Sequence, residues 1–221
     1  MLTLSTPVVR IFFNMARFAR PRARKKAAKP YHHGDLRRAL LDEALRTIQT
    51  QGIEQLTLRT VGERLGVSRS ALYRHFADKQ SLLAAVGKEG FRKLRQTLAD
   101  AWEHNGRGHA GFNAMGKAYV QFAVKNPSHY RVMFGGFIES AAKDNQFVAE
   151  AKAAFQVLVD ALVEQQNTSD IRRDDPMLMA RFVWALVHGT AMLFIDGQLA
   201  ETVQREPLEH YVFERLYASI R

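Results

Sequence analysis

Residues 69–75, RSALYRH, crowd Arg69, Ser70, Tyr73, Arg74 and His75 into seven positions. Guanidinium forks suit partners with two acceptors, a phosphate or the edge of a guanine. Serine bonds either way, and Tyr and His can pin phosphate oxygens. Helical spacing that turns Ala71, Leu72 and Phe76 inward would leave all five on the open side. Other chemistries have less to work with. The chain has no cysteine, hence no disulfide framework and no thiolate metal site. It has no Gly-rich phosphate loop and no Ser/His/Asp set with an elbow sequence, and His104 and His109 are its nearest approach to metal-ligand spacing. His32 and His33 are adjacent, and neighbours rarely share one ion without further ligands. Asp174-Asp175 invites an acid–base reading, but ahead of Pro176 it fits a helix start, where carboxylates complement the dipole. No catalytic residue, metal or cofactor is expected, and the chain is read as not an enzyme.

The elements that must hold this cluster are spelled out by residues 57–83, TLRTVGERLGVSRSALYRHFADKQSLL. Thr57 is a helix N-cap, and Leu58, Val61 and Leu65 then recur on one face. Gly66 suits a left-handed residue that ends a helix, Ser68 caps a second helix, and Asp78 caps a third that begins at Lys79. Two short helices around a glycine turn form a helix-turn-helix, whose second helix enters the DNA major groove. The plain alternative is a helical corner with a polar outer face.

The residues go further than the spacing. Gly66-Val67-Ser68, then Leu72-Tyr73-Arg74-His75-Phe76, then Lys79, closely resemble the DNA-binding domain of TetR-family regulators over roughly the first third of the chain. The combined reading assigns to DNA contact Thr57, Arg59, Thr60, Ser68, Arg69, Ser70, Ala71, Tyr73, Arg74, His75 and Lys79. The resemblance implies an all-α fold: an N-terminal three-helix DNA-binding domain with the helix-turn-helix, joined to a larger C-terminal helical ligand-binding and dimerisation domain (about nine helices). The expected boundaries are residues 1–30 for a disordered basic arm, 31–87 for the DNA-binding domain and 88–221 for the C-terminal domain.

Charge supports that division. Residues 1–87 hold sixteen Lys and Arg against six Asp and Glu, whereas residues 88–221 hold sixteen of each, so all of the net charge of +10 sits in the first part. A basic segment beside a neutral one is what a nucleic-acid reader with a second domain should show. The chain is 47% hydrophobic, yet no uninterrupted apolar run reaches the roughly 18 residues of a membrane span, and a soluble protein is expected. Residues 17–29 carry seven basic side chains and no acid. They fit an arm that neutralises phosphates or enters the minor groove, a targeting peptide, or a disordered tail, and the start before them could be an unused upstream codon with Met15 as the true start.

Further along, Asp35 should cap a helix with Leu36, Leu40, Leu41, Ala44, Leu45 and Ile48 inward and Gly52 at its end. From Asp78 a long helix runs to about Trp102, softened at Gly87 and Gly90, which makes a hinge there plausible. A loop at residues 104–108, a helix through Phe122, a short one ended by Gly135-Gly136, and a helix from Asp144 follow. Residues 165–169 read as a polar loop. The helix over residues 177–196 is apolar nearly all round and should be buried on both sides. With residues 207–220 it could pair with a second copy in a four-helix bundle.

Trp184-Ala-Leu-Val-His188-Gly189, together with residues 118–135, is similar to the ligand domain of the Trp-His-Gly subgroup of that family. Phe112, Met115, Tyr119, Phe122, Tyr130, Phe134, Phe155, Trp184 and His188 are candidates to line a pocket for an apolar effector, with Tyr119, Tyr130 and His188 as polar handles. Each could equally be ordinary core. The expected protein is a homodimeric regulator, more a repressor than an activator, that grips a palindromic operator and is released or modulated by a small apolar ligand. Its expected partners are double-stranded DNA, a second copy of itself and an unknown effector, with no membrane, in the bacterial cytoplasm and on the nucleoid when bound. The rival is a ligand-independent architectural DNA-binding protein, which a C-terminal domain packed solid would favour over one with a cavity.

Overall fold

Capping residues and glycines punctuate the chain where the sequence places them. The computed structural model describes residues 36–138, 144–199 and 204–221. Among the described residues there are nine α-helices and no strand: α1 (Leu36–Gln51), α2 (Leu58–Leu65), α3 (Arg69–Tyr73), α4 (Lys79–His104), α5 (Gly108–Lys125), α6 (Pro127–Phe134), α7 (Asn145–Asn167), α8 (Pro176–Ile195) and α9 (Arg205–Ile220). The basic segment at residues 1–30 and the Asp35 cap lie outside the described residues. Thr57 and Thr60 form a reciprocal capping box, as do Asp78 and Ser81. Gly66, at φ 66°, closes α2 in the left-handed region that only glycine occupies cheaply.

Residues 33–221 make one compact unit, and a continuous apolar core runs through it, from Leu40 on α1 by way of α4 to Phe213 on α9. The long helix α4 is its spine, packing on α1, α5, α6 and α7. Here Gly87 and Gly90 differ from the soft hinge expected. A Cβ at Gly87 would stand 2.6 Å from the Phe147 ring, and one at Gly90 would collide with the Met133 sulfur. The glycines therefore let α6 and α7 approach α4, which stays one unbroken helix.

Two further expectations change. Residues 165–169 are no loop at their start: α7 continues to Asn167, and Gln165 and Gln166 are buried. The Gln166 amide donates to the carbonyls of Arg172 and Asp174, which lets a polar side chain close off the following irregular segment. Helix α8, expected to be buried on both sides, leaves Leu178 (60% exposed), Phe182, Leu186 and Leu193 open. By length and composition alone α8 is apolar enough to cross a membrane, although it contains Arg181 and packs on α5 and α7.

Two ion networks fix the first helices in place. Glu43 on α1 is buried and accepts both forks of Arg46 at 2.8 Å and Arg64 from α2 at 3.2 Å. Burial pushes its carboxyl up, but the hydrogen bonds and charges of the two arginines prevail and hold it below the ordinary value. Glu89 on α4 gathers Arg38 from α1 (2.9 Å), Lys93 (2.6 Å) and His129 from α6 (3.3 Å). The His129 hydrogen bond leads, with Lys93 and Arg38 behind it, in holding the Glu89 carboxyl far below the carboxylate range against the opposing effect of burial.

Candidate functional site

Helix α3 is short, and what it buries is little: Leu72, with Phe76 just beyond its end, is nearly inaccessible, while Ala71 is only half-buried. Ser68 Oγ accepts from the Ala71 N–H at 3.3 Å and so sets the start of the helix. Arg69, Ser70, Tyr73, Arg74 and His75 are all exposed, as the spacing requires. Arg69 lies over the Tyr73 ring at 5.9 Å, which steers both toward one patch. Arg74 and His75 have no side-chain hydrogen bond or ion pair among the described residues, so their donors are unspent.

The other expected contact residues have internal jobs. The Thr57 and Thr60 hydroxyls are used in the capping box. Arg59 is exposed and pairs with Glu63 at 2.7 Å. Lys79 departs furthest from expectation: its ammonium donates to the Ile53 carbonyl at 2.9 Å and the Glu54 carbonyl at 3.4 Å. It struts the turn between α1 and α2, a long-range use that no local pattern signals.

A second feature lies among α4, α5, α6, α7, α8 and α9, where a cavity of about 550 Å³ opens. Its volume falls inside the range of roughly 300–1,000 Å³ typical of small-molecule sites. Phe112, Met115, Tyr119, Phe134, Phe155 and Trp184 line it as expected. Phe122 does not: it is buried in the core, away from the cavity wall. Tyr130 and His188 stand one layer behind the wall. Trp184 Nε1 donates to the Tyr119 hydroxyl at 3.1 Å, the Tyr130 hydroxyl donates to the same oxygen at 3.0 Å, and His188 Nδ1 lies 2.6 Å from Tyr130 Oη. Burial pushes the Tyr119 hydroxyl up to about 12 against the hydrogen bonds from Tyr130 and Trp184, pushes Tyr130 higher still, and lowers His188. The inner wall is therefore uncharged at neutral pH. The Trp and His of the Trp-His-Gly motif both serve this network.

Sequence reasoning missed Phe91, Leu94 and Leu98 from α4 and Phe213 and Leu216 from α9 as cavity walls. Each looks like plain core in its own helix, and only the packing shows which side of it is empty. The connection expected at residues 104–108 shortens to residues 105–107 between α4 and α5; positive φ angles follow one another at Gly106, Arg107 and Gly108, and Arg107 is held by Glu103 at 2.8 Å and Glu164 at 3.1 Å. His104 and His109 each have separate partners, the Asp100 carbonyl and the stacked Tyr217 ring.

An all-helical chain with a capped helix-turn-helix and a cavity-bearing helical domain describes a class of bacterial regulator, and comparison makes the family definite. Residues 40–86 match the family model described as bacterial regulatory proteins, tetR family, and residues 112–219 match the tetracyclin repressor-like C-terminal domain. The chain belongs to the TetR family of transcriptional regulators. A solved structure of a protein of unknown function from Rhodococcus sp. RHA1 is similar to it at 31% identity and a TM-score of 0.79, covering 87% of this chain and 99% of that one. The uncharacterized HTH-type transcriptional regulator YobS of Bacillus subtilis is 26% identical over 97 residues, 44% of this chain and 50% of its own length. The HTH-type transcriptional repressor AcnR of Corynebacterium diphtheriae is 33% identical over 64 residues, 29% of this chain and 34% of its own. The match thus spans half or less of these curated relatives.

Proposed function

We propose that this chain is a homodimeric, DNA-binding repressor whose grip on a palindromic operator is modulated by a small apolar ligand in the cavity. The observation that carries the DNA reading is the exposed polar face of residues 69–75, with Arg74 and His75 unpartnered among the described residues, beside a helix whose start is capped and whose neighbours are clamped through Glu43. Domain boundaries near residues 31–87 and 88–221 go with it, α4 belonging to both parts. AcnR's description as a repressor favours repression over activation.

The dimer is supported by the open apolar face of α8, with Leu178, Phe182, Leu186 and Leu193, and by Tyr211 on α9, 61% exposed. A contiguous apolar face of this kind marks an interaction site. Two copies joined there would offer two α3 helices to successive major grooves, about 34–36 Å apart. The cavity speaks for ligand control and against the ligand-independent architectural alternative. A ligand that fits one spacing of the two α3 helices better than another would shift DNA affinity by that difference.

The test is footprinting of the purified protein on its own upstream DNA, with and without apolar compounds. The expected result is a protected palindrome that one compound releases. Absence of any protected site, or equal protection by a variant with Arg69→Ala and Arg74→Ala, would overturn the DNA reading.

A further inference from the structure

Among the described residues that line the cavity only Lys152 and Arg181 carry a formal charge, and both are cations; no Asp or Glu is among them. Both are exposed as well as lining, which places them at the rim, Lys152 on α7 and Arg181 on α8. Neither has a hydrogen bond or ion pair among the described residues. Cations elsewhere around this domain are commonly matched: Lys88 with Asp144 at 3.0 Å, Arg92 with Glu150 at 2.8 Å, Arg107 with Glu164 at 3.1 Å. At the rim no matching acid stands among the described residues.

The interior makes the same demand from the other side. Tyr119 and Trp184 supply neutral polar groups already engaged with each other, the exposed Gln156 donates to Asp160, and the rest of the described lining apart from the two cations is apolar. A charge placed deep would meet no countercharge and would lose several kcal/mol of hydration. A charge placed at the rim meets two cations from different helices. Met177, Arg181 and Trp184 lie at four- and three-residue steps on the cavity side of α8, whereas Leu178, Phe182 and Leu186 share another side. Pairing of two copies through the second side leaves the rim open.

We propose that the ligand is an amphipathic anion: a hydrocarbon body fills the cavity and a single acidic head group sits between Lys152 and Arg181. This rests on the reading of the cavity as an effector site. Carboxylates and phosphate monoesters share the chemistry, and the experiment separates them.

Full-length protein is titrated calorimetrically with dodecanoate, dodecyl phosphate, methyl dodecanoate and dodecylamine, each below its micelle threshold. One or both acids should bind roughly tenfold or more tighter than the neutral ester, as expected for charge-assisted contacts. The double variant Lys152→Met, Arg181→Met should lose that preference while keeping the ester affinity and the thermal midpoint. Equal affinity of acids and ester, or tighter binding of the amine, would overturn the head-group assignment and leave the cavity reading standing. Binding by none of the four would overturn the cavity reading itself and this inference with it.

Discussion

Single side chains divide into those that hold the fold and those left free to act, and partnering tells them apart. Arg74 and His75 are exposed and unpartnered among the described residues, so Arg74→Ala should weaken operator binding by roughly tenfold, the value of a good contact to a phosphate or base edge. Its thermal midpoint should stay that of the parent in the same calorimetric scan. Lys79→Ala should behave in the opposite way, lowering the midpoint because two carbonyls of the α1–α2 turn lose their donor. Loss of DNA affinity at unchanged stability in Lys79→Ala would return that residue to the DNA face. Glu89 gives a pH dependence. Its folded carboxyl lies well below the ordinary value of 4.5, so its contribution is present above that value and fades as pH falls below it. Urea midpoints followed from neutral pH down to about 3 should fall for the parent and fall less for Glu89→Gln. Parallel curves would mean that the Arg38, Lys93 and His129 contacts add nothing to stability.

Elements show where local pattern informs and where it stops. Helix starts at Thr57, Ser68, Asp78, Asp144 and Asp175 were legible because an N-cap is a local event between a side chain and a backbone amide two or three residues on. The six cavity aromatics and thioethers foreseen were legible as apolar positions, but Phe122 has the same spacing and faces elsewhere, since periodicity gives a face and says nothing of what fills the space beyond it. Gly87 and Gly90 misled for the same reason. Propensity alone says that alanine at Gly87 should gain about 1 kcal/mol. Packing says that the added methyl meets the buried Phe147 ring at 2.6 Å, and overpacking costs about 1–3 kcal/mol. The ring is wedged against Phe91, with centroids 5.4 Å apart, so it has little room to yield. Gly87→Ala should therefore be destabilised by on the order of 1 kcal/mol net in denaturant unfolding. A stabilised variant would show that α4 and α7 part easily and would revive the hinge.

At the scale of the whole molecule the open face of α8 stands out because it gathers several of the exposed large apolar side chains on one helix. Leu178 at 60%, Phe182 at 51%, Leu193 at 46% and Leu186 at 40% exposed lie at four-, eight- and fifteen-residue offsets from Leu178, one side of one helix. Four such side chains scattered over the surface would need no explanation, but aligned on one helix side they ask for a partner. On the proposed reading that partner is a second copy, because one α3 alone would read one half-site of a two-fold operator. Phe182→Glu together with Leu178→Glu places two carboxylates where two hydrocarbon faces would meet. At a symmetric contact each charge then faces its own copy across the axis, so the penalty counts twice. The variant should sediment as a monomer at concentrations where the parent is dimeric, with its helical content intact by circular dichroism. Its DNA affinity should fall toward that of one half-site, because the second α3 is no longer held in register and binds as a separate event. A variant that remained dimeric would move the interface away from this face of α8, and the exposed Tyr211 on α9 would be the next position to charge.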